Sequence, residues 1–214
     1  MVDNKFELTY HFPAGIIFYK NFYRIILMKT FNLRMLISSA FFAALIAVGA
    51  YIRLPGPFVP FTLQMQFTNL AGLLLGKKYG AAAVGAYILA GLAGAPVFTG
   101  GGGPGYILQP TFGYIIGFLI GAYIAGVIGG RKTTFKNYTV ASFAHFSAVY
   151  AIGLIYYFFI SNYYLASPIG VGALFLYCFA LTAPVDAALC FFCAQLSVKL
   201  IPIMRMNGLS EINS

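Results

Sequence analysis

Apolar residues run along this chain in long blocks, broken at intervals by a few charged side chains. No Asp, Glu, Lys or Arg occurs from Met35 to Ile52, from Leu54 to Gly76, from Tyr79 to Gly130 or from Asn137 to Val185. Runs of this length exceed what a buried strand or core helix needs and match segments that live in lipid. Cut at their Gly, Pro and Lys clusters, they predict an all-α membrane protein with six transmembrane helices. These run from Met35 to Ile52, Thr62 to Gly76, Tyr79 to Val97, Gly113 to Gly130, Thr139 to Ile160 and Gly170 to Ile201. The second is short for a hydrocarbon core of roughly 30 Å, so it is either steeply buried or partly re-entrant.

Composition sharpens this reading. Of 214 residues, 61% are hydrophobic and 8% are charged, against roughly 25% charged in an ordinary soluble domain. A core of this chain length cannot hide so much apolar surface, which excludes a water-soluble globular enzyme. The net charge of +9 does not point to nucleic acid. Its cations sit in short clusters between apolar runs and form no basic stripe interleaved with exposed aromatics.

The clusters orient the chain. Lys29 and Arg34 precede the first helix, Lys77 and Lys78 join the second to the third, Arg131, Lys132 and Lys136 join the fourth to the fifth, and Lys199 and Arg205 close the sixth. With six crossings all of these fall on one side, which the positive-inside rule makes cytoplasmic, together with both termini. Arg53 alone faces outward. Three regions follow: residues 1–28, a transmembrane domain over 29–205, and a cytoplasmic tail over 206–214. Residues 1–28 are aromatic and basic, too interrupted for a span and without a signal-peptide cleavage site. They read either as an interfacial amphipathic helix or as a non-native extension upstream of Met28.

Few residues are candidates for chemistry. GLLLGKK at Gly72 to Lys78 lacks the spacing and the final Ser or Thr of a P-loop. The glycine run from Gly100 to Gly105 follows a membrane helix rather than a strand, so it supports no dinucleotide fold. His11 and His145 do not form metal spacing, and His145 reads as a helix-packing group. Cys178, Cys190 and Cys193 lie in the last apolar segment, as packing thiols. Asp186 is different. It is the one carboxylate in the membrane region, it follows Pro184, and it is placed near the middle of the sixth helix. An ionisable group at that depth faces an interior cavity or a partner, or else is a protonated group bonded between helices.

The outer loops are unusual as well. Leu54 to Gln64 carries three prolines, and Val97 to Tyr114 is rich in glycine and aromatic residues. Such loops read either as a lid over a cavity for a small, partly apolar ligand or as packing at the interface.

These same residues carry a resemblance. PGPFVPFTLQ, followed by LAGLLLGKKYG, and GLAGAPVFTGGGG, followed by PTFGYIIGF, resemble the signatures of the BioY family. That family comprises the biotin-recognising substrate-binding S components of energy-coupling-factor (ECF) transporters. The resemblance runs from about Met35 to Leu200, and it implies the six-helix S-component fold, uptake of biotin across the cytoplasmic membrane and no catalysis. It also implies partners: biotin as transported ligand rather than cofactor, a transmembrane coupling protein, two ATPases and the surrounding lipid. Asp186 and Gln64 would meet the ureido group, and Thr62 would also contact biotin. Arg53 would either pair with the valerate carboxylate or snorkel at the end of the first helix. Phe98 and Tyr114 would wall the ring system, and Gly101 and Gly102 would let backbone approach it. Ala40 and Ala44 have the small-xxx-small spacing that the family uses to dock its coupling protein, although such stripes also serve packing within a monomer.

One departure stands out. The family pattern has a lysine three residues after the aspartate, and this chain has Leu189. Asp186 then has to be protonated, paired with another group, or satisfied by ligand and water. The missing lysine also keeps open an S component for a different vitamin. A membrane-embedded enzyme is the remaining alternative, and it lacks a nucleophile or a His–Asp pair near one interface.

Overall fold

In a computed structural model, residues 33–54, 61–165, 167–207 and 209 are described. The chain divides into Met1–Leu33 and a unit from Arg34 onward. The extension at 1–28, most of the tail and the proline-rich loop at 55–60, with Phe58, lie outside the described residues. Helix α1 covers Leu33–Tyr51. It ends in a two-residue antiparallel ribbon, β1 (Arg53–Leu54) with β2 (Phe61–Thr62), in which Arg53 stands opposite Thr62.

The next helical element, α2, covers Gln64–Leu92 and is broken at Gly76, whose φ of 83° is open to glycine at no steric cost. The break reverses the chain. Gln64 donates to the Tyr87 hydroxyl across 23 positions, a separation of about 34 Å in an uninterrupted helix. A Cβ on Gly80 would lie 2.7 Å from the Ala71 carbonyl oxygen, so the two halves touch beside the corner. The predicted second and third helices therefore form one tight hairpin. Lys77 and Lys78 already belong to its second half, which ends at Leu92 rather than Val97. Gly94 at φ 108° and Pro96 stop it there.

Helices α3 (Phe112–Gly129) and α4 (Phe135–Phe159) follow, and α4 continues through a π-helical turn at Ile160–Tyr164. Their seam is built on glycines four residues apart. A Cβ on Gly117 would lie 2.8 Å from the Val149 Cα, and one on Gly121 would lie 2.8 Å from the His145 ring. Small residues let the two backbones approach closely, which is how helices gain packing energy where no hydrophobic drive exists.

The sixth apolar segment departs from expectation. It is interrupted: α5 (Val171–Phe175) runs into a π-helical turn at Leu176–Ala180, and α6 (Ala183–Met206) starts afresh. Pro184 has no N–H to donate back into the preceding turn, and it occupies the first turn of α6, where no such donor is needed. Asp186 is therefore in the first turn of a new helix rather than in the middle of a continuous one.

The cationic positions gather at one end. Arg34 donates to the Asn207 carbonyl oxygen at 3.3 Å, Gly126 abuts Lys77, and Asn137 closes the α3–α4 turn on the Ile128 and Lys132 carbonyl oxygens at 2.8 and 2.9 Å. Among the described residues, four stretches are long and apolar enough to cross a membrane: Leu33–Tyr51, Phe112–Gly129, Phe135–Tyr164 and Val171–Met206. The halves of α2 are shorter; residues 64–75 rise only about 18 Å. Polarity is inverted relative to a soluble protein. Gln64, Gln66, Thr68, Asn69, Ser142, His145 and Asp186 are buried, whereas Ile37, Phe41, Leu89, Ile155 and Phe192 face outward. The fold is that of a multi-pass membrane protein.

Candidate ligand-binding site

At the end away from the Lys77–Lys78 and Arg131–Lys136 corners, the helices leave a cavity of about 290 Å³. Its polar depth is formed by Asp186, Tyr150 and Thr182. Its mouth carries Arg53, Thr62, Gln64, Thr99 and Gly100, and Tyr106, Tyr114, Ile115, Phe118 and Val149 make an apolar wall between. The volume is at the small end for ligand sites, and the lining is mixed, since Gln109 and Thr111 add further polar groups.

Asp186 is buried, and both of its oxygens are engaged. Oδ1 accepts from Gln66 Nε2 at 2.8 Å, and Oδ2 accepts from the Tyr150 hydroxyl at 2.6 Å. Tyr150 also meets Thr182 Oγ1 at 2.8 Å. All these donors are neutral, and the α6 N-terminus adds a favourable dipole for a carboxylate in its first turn. The question left by Leu189 is thus answered by groups from α2 and α4. Each carboxylate oxygen keeps a second acceptor direction.

The mouth is held by a polar knot. Gln64 Oε1 accepts from Thr62 Oγ1 at 3.3 Å and from Thr99 Oγ1 at 3.2 Å, while its amide nitrogen donates to Tyr87. Arg53 Nη1 donates to the Thr99 carbonyl oxygen at 2.8 Å, which fixes the exposed guanidinium at the rim with further donors free to turn toward the cavity. Ribbon, loop and α2 are thereby tied together around the entrance.

Five sequence candidates line the cavity: Arg53, Thr62, Gln64, Tyr114 and Asp186. Tyr114 presents its ring, since its hydroxyl donates to the Cys178 carbonyl oxygen at 3.1 Å. The other three lie behind the wall. Phe98 is buried against Tyr106, with ring centroids 4.6 Å apart, and fills the space over Gly91. Gly101, at φ 118°, exchanges backbone hydrogen bonds with Phe98 at 2.9 and 3.0 Å. A Cβ on Gly102 would lie 2.1 Å from the Ala95 carbonyl oxygen. The close backbone approach anticipated for these glycines thus occurs within the loop, and Gly100 is the glycine that borders the cavity.

His145 lies outside the lining and pairs through Nε2 with Thr68 Oγ1 at 3.1 Å. Cys190 and Cys193 are buried thiols, directed at the backbone carbonyls of Ser142 and Gln66. Ala40 and Ala44 are exposed on α1 beside Ile37, Phe41 and Val48. Sequence reasoning missed Gln66, Tyr150, Thr99 and Thr182. Gln66 carried a usable signal, because an amide inside an apolar span needs a partner just as a carboxylate does. Tyr150 carried none, being one tyrosine among 16.

Comparison with known proteins identifies the family. The family model described as the BioY family matches residues 27–206. The chain is 40% identical over 181 residues to a probable biotin transporter BioY of Lysinibacillus sphaericus, covering 84% of this chain and 92% of that protein. It is 42% identical over 133 residues to the biotin transporter BioY of Thermotoga maritima, covering 62% and 76%. A crystal structure of the S-component for biotin from an ECF-type ABC transporter superposes with a TM-score of 0.64 at 28% identity, over 78% of this chain and 90% of that one. With most of its length matched in sequence and in fold, the chain belongs to the BioY family.

Proposed function

We propose that this protein binds biotin in the outer cavity and serves as the substrate-specific S component of an ECF-type transporter in the cell membrane. The observation that carries the reading is the lining of the cavity. A buried hydrogen-bond acceptor, Asp186, aromatic and aliphatic side chains, and an exposed cation, Arg53, all line it. Biotin has the complementary groups: a ureido head with N–H donors, a thioether ring and a carboxylate tail. Asp186 accepts a ureido N–H, Tyr114 and Phe118 flank the rings, and Arg53 pairs with the carboxylate. Gln64, whose amide is bonded to Thr62, Thr99 and Tyr87, borders the tail with Thr62 rather than meeting the ureido group as expected from sequence. Phe98, Gly101 and Gly102 act by shaping the loop that bears Thr99 and Gly100. No covalent chemistry is involved; the protein is a carrier.

Calorimetry on purified protein in nanodiscs tests this with biotin and its methyl ester. One-site binding of biotin is expected, with the ester weakened by about ten-fold or more through loss of the Arg53 pair. Absence of biotin binding refutes the reading, and equal affinity for the ester removes Arg53 from the carboxylate. Leu189 favours one alternative, an S component for another vitamin, so thiamine and riboflavin belong in the same titration.

The chain is read as crossing the membrane six times, the α2 hairpin supplying two crossings, with both termini and the cationic end cytoplasmic. Cysteines introduced in the Arg131–Lys136 turn should resist impermeant thiol reagents in intact cells; ready labelling reverses the orientation. The exposed Ala40–Ala44 stripe of α1 is the proposed contact with the coupling protein, which with two ATPases supplies the energy. Ala40→Leu should abolish co-purification with that module while leaving biotin binding intact.

A further inference from the structure

We infer that Gln66 is a positioning residue for the Asp186 carboxylate, setting ligand affinity without touching the ligand. The inference rests on the biotin reading above and deepens it. Gln66 is buried and does not line the cavity, and its amide nitrogen meets Asp186 Oδ1 at 2.8 Å. The amide is itself held from behind: Cys193 Sγ lies 3.7 Å from Gln66 Oε1 and 3.9 Å from the Gln66 carbonyl oxygen. With the oxygen end turned to Cys193, the donor end is directed at Asp186.

A carboxylate anchored at one oxygen can still swing about that bond. Tyr150 anchors Oδ2 and Gln66 anchors Oδ1, so the carboxylate plane is set and the remaining acceptor directions face the cavity. Two anchors from different helices make an acceptor aimed before the ligand arrives, so binding does not bear the cost of ordering it. Tyr150 borders the cavity and contacts ligand directly. Gln66 has only the route through Asp186.

That route is what the experiment reads. Biotin affinity is measured by calorimetry for wild type, Gln66→Met, Asp186→Asn and the double variant, with melting curves beside each. Met keeps the length of Gln66 and removes its donor. Gln66→Met should weaken biotin about five- to ten-fold in the wild-type background and by less than about two-fold in the Asp186→Asn background, because the group it aims is already altered. Gln66→Asn, too short to reach Oδ1, should repeat the pattern and serves if the Met variant does not fold. Equal loss in both backgrounds, or wild-type affinity in both Gln66 variants, overturns the positioning role. A wild-type protein without biotin affinity overturns the binding reading, and this one with it.

Discussion

The outer and inner halves of this bundle treat their polar groups differently: the inner half bonds some, such as Ser39 and Ser197, only to backbone carbonyls. Around the outer cavity, the side chains partner one another in two groups, Gln66–Asp186–Tyr150–Thr182 and Thr62–Gln64–Thr99. They sit among the aromatic rings of Tyr87, Phe98, Tyr106, Phe112 and Tyr114. The inner half, packed around Leu73, Leu74, Leu75, Ala125 and Ile201, also contains polar side chains. Both amide atoms of Asn69, Ser142 Oγ, His145 Nδ1 and Tyr138 Oη are buried with no hydrogen-bond partner among the described residues. Completed networks fix geometry and unpaired groups cost stability. The outer network is thus suited to recognition, and replacing the unpartnered polar atoms by apolar groups is expected to raise stability.

The largest expected effect tests the scaffold common to both halves. Gly117→Leu drives a side chain into the Val149 backbone and should destabilise the protein by about 3 kcal/mol or more, seen as a lower melting temperature with and without biotin. A variant melting like wild type would show that the α3–α4 seam does not hold the halves together.

Next is the outer network itself. Asp186→Asn keeps shape but puts a donor amide where an acceptor oxygen stood. Loss of a charge-assisted hydrogen bond worth roughly 1.5–3 kcal/mol should weaken biotin about ten- to a hundred-fold. Wild-type affinity in this variant would reduce Asp186 to a structural group and erase the contrast between the halves.

The inner half should respond with the opposite sign. Asn69→Leu replaces two unpaired polar atoms by an apolar group of similar size, and should raise stability by about 1–2 kcal/mol while leaving biotin affinity within about two-fold. A loss of stability would mean that Asn69 is fully bonded in the membrane-embedded protein. Ser142→Ala should show the smallest change, a gain of about 0.5 kcal/mol, with affinity again unchanged; a fall in biotin affinity would extend the recognition network inward.

Much of the outline was legible because lipid constrains sequence strongly. The charge-free runs located the apolar segments, including the four stretches that, among the described residues, are long and apolar enough to cross a membrane. Arg53 and Asp186 stood out as isolated charges, and both border the cavity. The sixth segment was misread, because a helix restart at Pro184 and a bend at Pro184 look alike in sequence; the preceding wide turn depends on how Tyr114 and Tyr150 hold Cys178 and Thr182. Phe98, Gly101 and Gly102 were assigned to the ligand side of their loop, and composition carries no information about which side a loop turns inward.

By itself the sequence determined that this chain is a multi-pass membrane protein, where its polar ends fall and which rare charges require an explanation. Those properties are sums over local stretches, and transfer into lipid reads them one segment at a time. The partners of Asp186 were decided only by the tertiary structure. Gln66 lies 120 positions away and Tyr150 36. They meet because α2 and α4 both pack against α6. Which helix faces come together depends on packing among all the helices at once, and no single segment contains that information.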